Sequence, residues 1–236
     1  RIPVSKRAAG RSPSKLYLKP GQSINAEQAI YALVTKSAND VATAVAEKLA
    51  GTERKFAKRM TRKAKSLGMT RTTFMNASGL PNRRQLSTAR DMARLASAIR
   101  RDFPQFYKFF STESFSWKGR RFKNNNQLLA NYSGTDGIKT GYINASGFNL
   151  VAAVERRGVR LIGVVFGGKT PRSRDRHMIN ILDQQFKRAK TITVRAAAAM
   201  PSALPIAPPR RTADLPEVPA TLPNSAPIAA RANKPA

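Results

Sequence analysis

The stretch "DGIKTGYINASGFNLVAAVERRGVRLIGVVFGG", residues 136–168, decides the fold. Its second part holds two runs rich in Val, Ile, Leu and Phe, joined at "RRG", which predicts an antiparallel hairpin. "DGIKTGY" starts a further strand just ahead of that hairpin, and upstream "ESFSWKGRRF" (113–122) alternates apolar and polar side chains as a strand does. Behind the hairpin, "SRDRHMINILDQQFKRA" (173–189) puts Ile179, Leu182 and Phe186 on one helical face.

Ahead of the strands the pattern is helical. Asn25 is an N-cap for "AEQAIYALVTKS", with Gln28 three residues on and Ala26, Ile30, Leu33 and Val34 as its apolar face. Ser37 falls at the end of that helix, and "VATAVAEKLA" begins another that stops at Gly51. Thr52 caps "ERKFAKRMTRKAKSL", whose Phe56, Met60, Ala64 and Leu67 are spaced for burial, and Thr88 caps "ARDMARLASAIRR". Helices, then an antiparallel sheet, then a closing helix make an α+β domain over residues 1–190. From about residue 191 to 236 the chain turns to Ala and Pro, with most of its 15 prolines and no periodicity. That composition predicts a disordered tail or linker.

Composition excludes several functions. There is no cysteine, so disulfides, thiolate metal sites and cysteine nucleophiles are out, and one histidine, His177, supports no multi-histidine metal centre. No cofactor and no metal is expected. No apolar run is long enough for a membrane span, and the first residues, "RIPVSKRAAG", are not a signal peptide. The net charge of +30 draws polyanions. A non-catalytic basic binding protein for an anionic polymer, envelope glycan or nucleic acid, is therefore an alternative function. Aromatics are only 7% of residues and no basic–aromatic ladder is present, so specific reading of nucleic acid is not expected.

Three short motifs concern chemistry. "RSPSK" (11–15) matches serine-x-x-lysine at Ser12 and Lys15, the pattern in which an amine activates a hydroxyl. "SAND" puts Ser37 and Asn39 at a junction between helices, and "DGIKTGY" puts Lys139, Thr140, Gly141 and Tyr142 on a strand. S-x-N and K-T-G are each common by chance. In this order, on a helical junction and a strand, they form the pairing used by penicillin-binding proteins and serine β-lactamases.

Successive segments sharpen that likeness: "SKLYLKPGQSINAEQAIYALVTKSANDVATAVAEKLAG" (14–51), "LGMTRTTFMNASGL" (67–80), "STARDMARLA" (87–96) and the stretch from 136 to 168. Residues 1–185 resemble the serine-type D-alanyl-D-alanine carboxypeptidases. The resemblance implies the β-lactamase/transpeptidase-like fold, an antiparallel sheet flanked by helices. It implies removal of the terminal D-alanine from peptidoglycan stem peptides, acylation by β-lactams, and a place in the periplasm or cell envelope.

It also implies roles. Ser37 would relay a proton to the leaving nitrogen, Asn39 would hold the substrate's peptide carbonyl, and Lys139 and Thr140 would take its terminal carboxylate. Gly141 would let the substrate backbone approach, and the Tyr142 N–H would face the oxyanion. Ile143 stands where the family usually has threonine, so no hydroxyl contact is expected there. In the family the S-x-x-K serine lies much further ahead of S-x-N, at the start of a buried helix. Pro13 and the Pro20–Gly21 pair break any such helix here, and "SPSKLYLKPG" resembles a loop of the family. Ser12 is thus not expected to be the nucleophile. The first strands, the nucleophile helix and an export signal are expected upstream of residue 1. The chain by itself is expected to be inactive and loosely folded.

Overall fold

The computed structural model describes residues 1–199, with side-chain surroundings through Ala189. The short strand β1 (Ile2–Pro3) leads to α1 (Lys6–Ala9), and a loop runs from there to β2 (Ser23–Ile24), which pairs with β1. Helix α2 (Ala26–Tyr31) follows, then a π-helical turn over Ala32–Lys36, then α3 (Asn39–Ala50), α4 (Glu53–Ser66) and α5 (Ala89–Asp102). After a 3₁₀ segment at Pro104–Ser111, β3 (Ser114–Trp117) and β4 (Arg120–Lys123) form a hairpin, followed by α6 (Leu128–Asn131). A three-stranded antiparallel sheet has the order β5 (Thr135–Ile143), β6 (Gly147–Arg156), β7 (Val159–Gly168), and α7 (Pro171–Ala199) closes the chain.

The local signals act as expected at most ends. The Asn25, Thr52 and Thr88 side chains each accept the backbone N–H three residues on, filling an orphan donor of the helix they start. Arg157 and Gly158, both at positive φ, turn β6 into β7. Lys118 and Gly119 do the same between β3 and β4, closing a hairpin where the sequence shows only alternation.

The apolar face expected for the first long helix is kept in part, with Val34 buried and Ile30 and Leu33 half-buried. Ala26 is exposed, while Ala29 and Ala32 are fully buried. Ala26 is the first residue of α2, at its open end, and from Ala32 onward the chain winds as a π turn, off the α-helical period. Thr35 takes part in it, its hydroxyl donating to the Tyr31 carbonyl at 2.7 Å.

The sheet is covered on both faces, which is why β6 and β7 read as almost unbroken apolar runs. Leu150, Ala152 and Val154 on β6 pack with Val165 of β7 against Met178 and Leu182 of α7. Val151 and Ala153 point the other way, toward Ala96 of α5 and Tyr107. A separate core under α3 joins Val4, Ala8, Leu16, Leu18 and Ile24 to Ala29, Val41 and Phe115. Asp136, at the head of β5, is fixed from β7 and from the 3₁₀ segment. Arg160 forks onto both its carboxylate oxygens at 3.1 and 2.5 Å, and the Tyr107 hydroxyl donates to it at 3.3 Å.

The tail boundary expected at residue 190 falls inside α7, and residues 200–236 of the expected tail lie outside the described residues. Among the described residues no helix is long and apolar enough to cross a membrane.

Candidate active site

Ser37 sits where the π turn ends and α3 has not begun. Its backbone is left-handed, φ 55° and ψ 46°, a conformation that costs a non-glycine residue of order 1 kcal/mol and is held by what surrounds it. Its neighbours on both sides are stitched to the loop that carries "RSPSK". The Ser14 hydroxyl donates to the Lys36 carbonyl at 2.8 Å, the Asn39 N–H donates to the Ser14 carbonyl at 2.7 Å, and the Asn39 side chain donates to the Ser12 carbonyl at 3.0 Å. Asp40, fully buried, accepts the N–H groups of Leu16 and Leu18 at 3.1 Å and of Val41 at 2.9 Å. Asp40 lies in the first turn of α3, and the fold uses it as the clasp between α3 and the preceding loop.

That loop also carries Ser12 and Lys15. Ser12 is exposed, and the Lys15 ammonium donates to the Ala9 carbonyl at 3.1 Å and lies over the Tyr17 ring. The two side chains share no hydrogen bond. The match to S-x-x-K lies on a strap bonded to the hinge at Lys36 and Asn39.

Lys139 comes to the same hinge from β5. Its ammonium donates to the Ser37 hydroxyl and, at 2.9 Å, to the Thr140 carbonyl. Burial pushes its pKa down from 10.5 to about 8, and the positive charge of Arg174 adds to the shift. Strand β5 is an edge of the sheet, bonded to β6 on one side only. Gly141 is exposed on it, and a Cβ built there would touch only Asn149 across the strand pair, at 3.9 Å. Among the described residues nothing requires glycine at that position. Tyr142 is half exposed, its ring tilted against Phe148 at 4.3 Å and its hydroxyl donating to Asn144.

Ser37 and Lys139 therefore meet, with Asn39 opening α3 two residues beyond Ser37 and Thr140, Gly141 and Tyr142 following along the sheet edge. Arg174, near the start of α7, is a charged neighbour the sequence does not single out. It is buried, held by Asp175 at 2.7 Å, and packed over Gly168, where a Cβ would come within 2.7 Å of its own Cβ. Among so many basic residues no local pattern marks it; an arginine one turn into an amphipathic helix is the only signal. His177 is exposed, and Trp117 packs beside Phe115 in the α3 core, as a strand residue does.

The family model for D-alanyl-D-alanine carboxypeptidases (Peptidase_S11) matches residues 1–170. The chain belongs to that family. D-alanyl-D-alanine carboxypeptidase DacC of Escherichia coli is 37% identical over 184 residues, 78% of this chain and 46% of that protein. Penicillin-binding protein 5 of Haemophilus influenzae superposes with a TM-score of 0.75 at 31% identity, covering 79% of this chain and 56% of that one. Penicillin-binding protein D2 of Listeria monocytogenes, in its ampicillin-bound form, gives a TM-score of 0.68 at 30% identity, with 77% and 74% covered. The expected α+β fold of penicillin-binding proteins is thereby shown. The chain spans about half the length of the curated relatives it matches first.

Proposed function

We propose that this chain carries the substrate-holding half of a serine-type D-alanyl-D-alanine carboxypeptidase of the periplasm or cell envelope, working on peptidoglycan stem peptides through an acyl-enzyme. The observation that carries the reading is the hydrogen bond from Lys139 to Ser37, which joins the S-x-N hinge to the K-T-G strand. The family match and the ampicillin-bound relative support it.

On this reading each group has a task set by its chemistry. Lys139, charged below about pH 8, draws the terminal carboxylate of the stem peptide. The Thr140 hydroxyl donates a second hydrogen bond to it. Gly141 leaves the open strand edge clear for the peptide backbone to lie along, and the Tyr142 N–H faces the carbonyl oxygen that gains charge. Asn39 spends one side-chain N–H on Ser12 and holds the peptide carbonyl with the other. Ser37, in contact with the Lys139 amine, passes a proton to the departing D-alanine nitrogen. Ser12 offers the sole S-x-x-K match among these 236 residues and it lies on the strap, so attack comes from a serine not among them. The β-lactams, whose carboxylate and acyl carbon mimic those of the peptide, occupy the same edge.

Titration of the chain, followed by NMR, with an N-acetylated peptide ending in D-Ala-D-Ala tests the reading. The expected result is saturable binding that disappears when the C-terminus is amidated or when Lys139 is changed to Met. Equal binding of the amidated peptide would overturn it.

A further inference from the structure

Helix α4 lies outermost against α3, burying Ala57 and Ala64 and half-burying Phe56 and Met60. Of its eight exposed side chains seven are Lys or Arg, and the eighth is Ser66. The acid at its start, Glu53, is turned inward and consumed by Arg7 and Arg11. Among the described residues none of the seven has a carboxylate within ion-pair distance; Arg59 reaches only the Leu49 carbonyl, and Asp102, which feels Lys63, is already paired to Arg101.

This arrangement opposes folding. Arg54 and Lys58, Lys55 and Arg59, Lys58 and Arg62, and Arg59 and Lys63 are each one turn apart, where like charges destabilise a helix. A solvated helix face normally intersperses acids; this one does not, so its counter-charge has to come from outside. The seven positions sweep about 180° of the helix circumference. A flat bilayer reaches only part of so convex an arc, and no exposed apolar side chain stands among the charges to insert into lipid. No aromatic residue is exposed there to stack on a base.

We infer that the outer face of α4 is a docking surface for a flexible, phosphate-bearing polymer, gripped through its backbone charge alone. The inference is independent of the carboxypeptidase reading, since it uses none of the residues around Ser37 and Lys139. A chain that can bend around the arc neutralises all seven cations, releases its counterions and removes the repulsion between turns.

The test uses the 236-residue chain and long-chain inorganic polyphosphate. One variant carries Arg54→Gln, Lys58→Gln, Arg62→Gln and Lys63→Gln; a charge-matched control carries Lys6→Gln, Lys19→Gln, Lys108→Gln and Lys123→Gln. Glutamine keeps helix propensity, so the first variant folds, and its melting temperature without polyphosphate rises as repulsion is relieved. The expected result is that the α4 variant loses roughly 3 from the slope of log affinity against log salt, at about 0.7 per lost phosphate contact, while the control changes far less. Equal loss in both variants would show that net charge alone binds and would overturn the inference. So would vesicles of phosphatidylglycerol, or duplex DNA, binding more tightly than polyphosphate at equal charge and depending on the same four residues.

Discussion

The Lys139 ammonium and the Ser37 hydroxyl, 102 residues apart in the chain, are hydrogen-bonded in the fold. The lysine pays for that position in solvation, and this fixes a pH dependence. Its pKa is about 8 when folded and 10.5 when exposed. Below about pH 8 it is an ammonium able to hold a carboxylate, so binding of the D-Ala-D-Ala peptide falls as pH rises through and above 8. A bound carboxylate stabilises the ammonium and moves the midpoint upward. Stability runs the other way. Between about 8 and 10.5 the unfolded chain holds a proton the folded chain has shed, so unfolding free energy gains from this group as pH rises. Calorimetric titration and urea unfolding across that window check both slopes, and Lys139→Met flattens both.

Asp40 carries three backbone N–H groups in a site closed to water. Asp40→Ala strands those donors and costs about 3 kcal/mol of unfolding free energy, whereas Asp40→Asn keeps one acceptor and costs less. Urea titration gives the difference. Because the clasp sits beside Asn39, both changes also weaken peptide binding. An alanine variant as stable as the parent would show that the strap does not depend on it.

Two glycines separate packing from function. Gly141→Ala meets nothing closer than 3.9 Å, so stability shifts by less than about 0.5 kcal/mol, yet the added methyl obstructs the open edge and peptide affinity falls at least about tenfold. Gly168→Ala drives a carbon into the backbone-proximal part of Arg174 and costs about 1–3 kcal/mol. Thermal unfolding beside peptide titration distinguishes a site glycine from a packing glycine.

Ser12 acquires no acyl group. After incubation with a labelled penicillin, peptide mapping of the chain is expected to find no adduct on it, and Ser12→Ala is expected to leave peptide binding unchanged. An adduct on Ser12 would return the strap to the reaction centre.

Much of the fold is legible in the residues because it is local. The Asn25, Thr52 and Thr88 caps need only the three residues that follow them. The β6–β7 hairpin needs two apolar runs and a turn that tolerates positive φ. The β3–β4 hairpin is less visible because Lys118 takes positive φ without the usual Asn or Asp to announce it. The π turn from Ala32 to Lys36 is invisible to any fixed helical period, since it changes the period itself.

By themselves the residues determine the order of the longer helices and of the closing hairpin, the two motifs and the exclusion of thiol and multi-histidine chemistry. They determine too that Ser12 lies on a proline-broken segment. Only the tertiary structure decides that Ser37 and Lys139 touch, that Asp40 is a clasp, that Arg174 lends its field to Lys139, and that α4 keeps its cations unpaired. The physical reason is range. Capping, turn formation and apolar periodicity act within a few residues, whereas desolvation, charge–charge coupling and hydrogen bonds between distant segments exist only once the chain has brought those segments together.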